Sequence, residues 1–439
     1  MKNLIFVALA ALSLTACSEN ETDSNVSSFS MQSASADYAS QCSKPVQTVS
    51  GNINATNNHW TAGTIWEIDG IVNVQSGITL TIDAGTYIKA KPRTDNTATG
   101  VLVVQKGGTL NANGTATAPV VFTSYKLLDC NAATTAAPGD FGGIVILGDA
   151  PTNQPTTTTI EGLSGALYTY GGANAAHNGG SLTYVRIEFA GYDLLAPNSG
   201  NEINGLTLGG VGSGTVLNHI QVSYGKDDSF EFFGGTVNAS NLVSFAADDD
   251  NFDFDNGYVG TITCALALAD FNSTHSQSGG NPDSNGIELD NNSTGSTVTP
   301  ITNPVINNLT IVGARNSAQG ALYENAIHVR RNGKLTLNDA ITTGYTVGIL
   351  NETVSGAAVN PADLSFTNVS AHGFTFATAS KIGSTTAALT ISGVTATSTT
   401  SPATAWGMTQ PFFNVTSTPW NVTPRNCGDF KGTWTNYSF

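Results

Sequence analysis

Three features of the sequence predict an all-β fold in which the chain coils, one turn per repeat. Short runs alternate apolar and polar residues, the period-2 signature of strands with one buried face. No stretch of ten or more residues carries sustained helical periodicity with caps. Residues 218–233 overlay residues 240–255 at an offset of 22, so that Ile220 meets Leu242, Asp228 meets Asp250, Phe230 meets Phe252 and Phe232 meets Phe254. A repeat of that length is one supersecondary unit, and it buries its apolar face only by stacking on its neighbours. An up-and-down barrel would show alternating hairpins of matched strand length instead.

Residues 1–16 read as a secretory signal: Lys2, an apolar stretch from Leu4 to Leu14, then Leu14-Thr15-Ala16-Cys17. The stretch is too short to span a bilayer, which takes about 20 apolar residues. The Leu-Thr-Ala-Cys run resembles a bacterial lipobox, which implies that Cys17 is lipidated and begins the mature chain. Ser18 after it resembles the outer-membrane sorting pattern, so the protein is expected to be outer-membrane anchored and surface-exposed. Residues 17–41, rich in Ser, Asn, Asp and Ala, read as a flexible tether.

From residue 42 to residue 439 the texture is uniform, so one domain is expected. Strand-type runs fall at 77–82, 101–104, 143–147, 182–189, 205–208, 219–224, 242–245, 287–289, 309–312, 327–329, 335–337 and 389–391. Roughly fifteen turns at about 4.8 Å each would make a rod near 70 Å long. Open strand edges at both ends need covering. Residues 42–66 are expected to cap the first end, and residues 420–439, with Cys427, Trp434 and Tyr437, the last.

The runs 70–74, 77–82 and 84–86 look like the opening of a right-handed parallel β-helix. Val103-Val104-Gln105-Lys106-Gly107-Gly108-Thr109-Leu110, followed by residues 114–116 and 119–124, resembles one more closely, and residues 140–146 continue the pattern. Across about residues 60–395 the chain resembles pectin-lyase-like β-helix proteins, in particular surface lipoproteins of Gram-negative bacteria. That resemblance implies a fold rather than one activity, since the scaffold serves lyases, hydrolases, adhesins and stalks.

Composition narrows the partners. Acids outnumber bases 32 to 16, for a net charge of −16, and only 11% of residues are charged. No Lys/Arg-rich patch exists to neutralise phosphates, which excludes nucleic acid. Cys42, Cys130, Cys264 and Cys427 remain after Cys17. Four cysteines in an oxidising compartment read as two disulfides with three possible connectivities, and no CxxC spacing suggests zinc.

The densest chemistry lies in residues 247–257, Ala-Asp-Asp-Asp-Asn-Phe-Asp-Phe-Asp-Asn-Gly. Strand alternation sets Asp249, Asn251, Asp253 and Asp255 on one face, with Asp227, Ser229 and Glu231 on the same face one turn earlier. Stacked carboxylates about 5 Å apart repel unless a cation lies between them, and hard oxygen donors suit calcium. The candidate Ca²⁺ ligands are Asp227, Asp228, Glu231, Asp249, Asp250, Asp253 and Asp255. The plain alternative is a solvated acidic face.

Asp227-Asp228 resembles the paired aspartates of β-helix polygalacturonases. That family's Gly-His-Gly is replaced by Ala371-His372-Gly373, and its Arg-Ile-Lys by Arg186-Ile187-Glu188, which weakens the hydrolase reading. Arg330-Arg331 near His328 is the one basic cluster, three or four turns beyond the acids, and a lyase would need such a base. Gly209–Gly214 reads as a glycine turn, Phe230, Phe232, Phe252 and Phe254 as stacked core, and Phe233, Tyr192 and Tyr258 as candidate sugar platforms. The expectation is a monomeric, lipid-anchored surface protein whose long face binds an extended polymer, a polysaccharide or another cell-surface polymer, with calcium on that face. A calcium-dependent lyase or hydrolase and a passive stalk are the alternatives.

Overall fold

The computed structural model describes residues 38–92, 100–191, 203–270, 276–278, 281–314, 317–354, 360–398, 425–428, 430 and 434–435. The expected signal, Cys17, most of the tether, Tyr192, Trp420 and Tyr437 lie outside the described residues. Parallel strands stack in three walls, and each complete turn visits them in one order. The result is a right-handed parallel β-helix, the hand that parallel crossovers take.

Wall 1 begins at His59–Trp60, Thr79–Ile82 and Thr109–Asn113 and runs through residues 180–183, 216–218, 238–240, 261–263, 305–307, 336–338 and 364–367. Wall 2 stacks twelve segments, from residues 46–50 through 185–188, 220–223, 242–245 and 265–268 to Val394–Thr397. Wall 3 stacks eleven, starting at residues 51–52, among them Val101–Val104, Gly143–Leu147, Leu206–Val211, Phe230–Gly235, Phe252–Asp255, Ile287–Leu289 and Asn325–Arg330. The expected fifteen turns are therefore ten to twelve, and the coil is about 50 Å long. Insertions between strands, chiefly residues 151–179, consume the residues that the sequence count assigned to extra turns.

The 22-residue repeat is the strand register itself: Asn218 pairs with Ser240, Ile220 with Leu242, Phe230 with Phe252 and Phe232 with Phe254. Inward side chains stack in columns. Phe230 and Phe252 stack at 5.2 Å, and Phe232 and Phe254 at 5.1 Å. Tyr258, expected as an outward platform, is wholly buried against that column and donates to the Val237 carbonyl at 2.8 Å.

One residue turns the chain from wall 1 to wall 2 in seven turns. Tyr184, His219, Asn241, Cys264, Asn308, Asp339 and Asn368 all have φ between 52° and 64°, the left-handed region. Four of the seven are Asn or Asp, which tolerate that region best among residues with a Cβ. The other three hold the end of the chain. Cys264 is bonded to Cys427, and Tyr184 and His219 stack at 4.3 Å under Trp434.

The described residues near the C-terminus thus form a strap along wall 2, and not a cap over the last turn. Arg425 donates its backbone N–H to Thr310 Oγ1, and Phe430 and Trp434 cover Val243, Phe245, Leu266, Leu268 and Val312. Those outward residues are apolar, so wall 2 needs a cover on both faces. The last edge is closed instead by Thr385–Ala388, which turns back antiparallel on the end of Leu364–Ile382, while Val394–Thr397 adds a parallel strand. Residues 389–391, expected as a strand, form the connection between these two.

At the other end Trp60 and Trp66 stack at 5.2 Å inside the first turn, so residues 42–66 build the coil's opening as well as closing it. Tyr38 is already buried ahead of them. Its hydroxyl donates to Glu188, which also accepts from Thr123 at 2.7 Å and pairs with the buried Arg186 at 3.2 Å. Cys42–Cys130 and Cys264–Cys427 are the two disulfides.

Breaking Cys264–Cys427 opens a loop of 163 residues. Cys427→Ser is expected to lower stability by about 2–4 kcal/mol. Loss of the strap should also raise binding of an apolar dye to the bared wall 2, measured beside the thermal melt.

Candidate functional site

The outer face of wall 3 is divided along its length. The insertion at residues 151–179 lies across the early turns, burying Ile160, Leu163 and Tyr170 against Val103, Val145, Leu147 and Phe233. Phe233, expected as a platform, is covered by Tyr170 at 6.0 Å. Gly209 lies in strand Leu206–Val211 rather than in a turn, and it is a close-approach glycine: a Cβ there would sit 3.0 Å from Ile160 and Tyr170. Beyond Phe233 the wall is open, and its chemistry begins.

A column of outward residues follows the strand register: Thr207, Glu231, Asp253, Glu288 and His328. Two positions along each strand, Phe233 leads to Asp255, and Arg330 to Glu352 and Lys381. Asp290 lies between, one position past the Leu289–Val329 pair. The acids and the basic cluster therefore share one wall, with Arg330 two turns beyond Asp255 rather than three or four.

The turn that enters wall 3 supplies the remaining carboxylates. Asp228 Oδ1 accepts the N–H of Asp250 at 2.8 Å, and Asp250 Oδ1 accepts that of Asn285 at 2.6 Å. Asn285 Oδ1 accepts the N–H of Asn325 at 3.1 Å. This ladder ties four successive turns together and gives Asp228 and Asp250 a backbone role. Ligand oxygens of Asp227, Asp228 and Asp249 lie within 4.8 Å of one another, as do those of Asp228, Glu231 and Asp253. Five of the seven candidate ligands are thereby brought together. Asp250 and Asp255 are in neither group; Asp250 Oδ1 is held by Asn285, and Asp255 accepts the N–H of Asn256 at 2.6 Å.

Asn251 and Ser229 depart from the expected face. Asn251 donates to Ser244 at 2.6 Å and Ser229 meets the same hydroxyl at 2.7 Å, both inside the coil. Alternation starts only within the strand at Phe252, so it does not extend into the turn before it. Sequence reasoning missed Glu161, which the insertion brings to the cleft, and Asp248 and Asp283. The cleft measures about 380 Å³.

Burial and mutual repulsion act in the same direction here. Glu231, Asp228, Asp250 and Asp253 are pushed well above the usual carboxylate range, by burial first and by neighbouring carboxylates second. Asp249 and Asp255 rise to about 7, through burial and then Asp283 and Asp290 respectively. Among the described residues Asp253 Oδ1 and Asn204 Oδ1 are buried acceptors without a hydrogen-bond partner. An all-oxygen set with unpartnered acceptors fits a hard divalent cation and no soft one.

The basic side is fully engaged. Arg330 pairs with Glu288 and, through Nε at 3.0 Å, with Asp290, which Arg331 also holds. His328 Nε2 lies 2.8 Å from Glu352. Although burial works the other way, hydrogen bonds from His328 and Lys381 hold Glu352 down at about 2. His328, Arg330, Arg331, Glu352 and Lys381 line a second cleft of about 570 Å³, which shares Asp283 with the first.

A family model described as a pectate-lyase like beta helix domain matches residues 51–413. No curated protein and no solved structure matches the chain.

Carboxylates whose pKa rises on folding stabilise the fold only while protonated. For Asp249 and Asp255, lifted from near 4 to about 7, that contribution is complete below about pH 4 and lost as pH rises through 7. In chelating buffer the melting temperature is expected to fall between pH 5 and pH 8. Asp253→Asn should raise it at pH 8 by about 2 °C. A rise with pH in the native chain would contradict this account.

Proposed function

The chain belongs to the pectate-lyase-like beta-helix family, and from that premise we propose that it binds an acidic polysaccharide along wall 3. The observation that carries this reading is the continuous column Glu231–Asp253–Glu288–His328, with Arg330 alongside. It sets an oxygen-lined acidic cleft and a guanidinium-lined cleft end to end on one face. An extended polyuronate laid along the coil would meet both. A Ca²⁺ held by Asp228, Glu231 and Asp253, with Asp227 and Asp249 beside them, would supply positive charge to a sugar carboxylate. Arg330 and Arg331 would receive the next one by exchanging Glu288 or Asp290 for it. Cys17 would anchor the domain to the outer membrane through its lipid, with the tether expected over residues 17–41 ending before Tyr38, which is buried on the fold.

Cleavage is the second reading, favoured by the presence of Arg330 on the same wall as the cation ligands. A lyase needs a base that takes the proton beside the uronate carboxylate. Arg330 pairs with Glu288 of the acidic column, and burial holds its pKa below the usual value. The ion pairs to Glu288 and Asp290 must open for it to act.

Calorimetry of the unlipidated protein with Ca²⁺ tests the site. Binding is expected at about 10⁻⁴–10⁻³ M, the range of extracellular calcium modules. It should weaken at least tenfold in Asp253→Ala and fade below pH 7 as Asp249 protonates. Polygalacturonate or alginate should then bind only with Ca²⁺ present. Unsaturated sugar ends, followed by ultraviolet absorbance, would establish cleavage, and Arg330→Lys should reduce it. Polymer binding that ignores both Ca²⁺ and Asp253→Ala would refute the wall 3 site.

A further inference from the structure

We propose that the outer face of wall 1 is a second binding surface, for an uncharged polysaccharide laid along the coil axis. It goes beyond the acidic cleft, which lies on a different wall and calls for a charged polymer. One outward row of wall 1 reads Thr183, Asn218, Ser240, Thr263, Asn307, Asn338 on successive turns. Asn113 and Thr367 extend it to eight turns. The row two residues earlier on each strand is likewise Ser, Thr or Asn, save Val216 and Val305. Every one of these side chains is exposed or half-buried. Neither row holds an Asp, Glu, Lys or Arg, on a chain whose net charge is −16.

The rows are ordered by contacts between turns. Ser240 Oγ donates to Asn218 Oδ1 at 2.9 Å, as does Asn241 Nδ2 at 2.8 Å. Asn338 Nδ2 donates to Asn307 Oδ1 at 3.0 Å. Each hydroxyl or amide retains capacity beyond those bonds, and it faces water. Polar groups so fixed lose little freedom when a ligand arrives.

Strand spacing repeats the array every 4.7–4.9 Å or so. One sugar ring in an extended chain has a similar length, so successive sugars meet successive turns in the same register. A hydroxyl-bearing chain is the chemical match: it offers donors and acceptors and brings no charge to be repelled by the acids elsewhere. No aromatic ring stands on the two rows, so each sugar is held weakly and affinity accumulates with length. A second copy of the chain fits less well. The strip is two rows wide and eight turns long, about 250 Å² by strand spacing, against the roughly 800 Å² per partner of a stable interface.

Affinity electrophoresis in gels cast with mixed-linkage β-glucan, glucomannan or dextran, all in chelator, tests this. Retardation is expected in at least one gel, competed by oligosaccharides whose potency climbs with length up to about eight sugars. Thr263→Lys with Asn307→Lys, which raises long side chains above the plane, should weaken binding at least tenfold without moving the melting temperature. Asn307→Ser and Asp253→Ala should bind as the parent does. No retardation in any of the three gels overturns the proposal. So does loss of binding in Asp253→Ala, which would place the neutral polymer on wall 3. Self-association that the double lysine variant abolishes would overturn it in favour of a second copy.

Discussion

Parallel register is the constraint on which the rest of this molecule depends. Because each strand sits directly over the last, whatever occupies one position is repeated about 4.8 Å further along the axis. Like then meets like, for better or worse. Phenylalanines stack in the core, left-handed corner residues line one edge, and Ser, Thr and Asn pave wall 1. The same rule piles carboxylates on one another at Glu231, Asp253 and Glu288, where they repel. The coil tolerates that column because a ladder of backbone N–H groups donating to side-chain oxygens beside it, from Asp228 to Asn325, ties the turns together.

Much of this was legible in the residues, for a physical reason. Where no insertion interrupts the coil, equal chain length means equal position, so the offset of 22 read directly as strand register between residues 218 and 255. Glu288 lies 35 residues beyond Asp253, and His328 another 40 beyond that, because long connections intervene. Their place in the column could not be counted out, and the distance to Arg330 was overestimated. Alternation misled in one place. Asn251 sits in the turn, where side chains do not alternate, and it points inward. Glu161 carried no signal at all, since only the folding of the insertion back across wall 3 brings it to the acids.

The corner between walls 1 and 2 shows how a backbone requirement is put to use. Asn and Asp fill most of the left-handed positions, as their tolerance of positive φ would suggest. Tyr184, His219 and Cys264 do not fit that preference, and each is a contact of the C-terminal strap. The departures mark where a second requirement overrides the local one. Wall 2, apolar outside as well as inside, depends on that strap and on the N-terminal segment at Tyr38 for its cover.

The two disulfides also define a route for mechanical force. Tension entering from the N-terminal side reaches Cys42 and crosses to Cys130, bypassing the 87 residues between them. It leaves the backbone again at Cys264 and passes to Cys427. The first turns and the last turns are thus slack loops, shielded from any pull on the chain ends. The loaded stretch is residues 130–264, and it contains Asp227, Glu231, Asp249 and Asp253. A protein held at one end and dragged by a bound or fused body at the other would feel the strain first in the turns that build its acidic cleft.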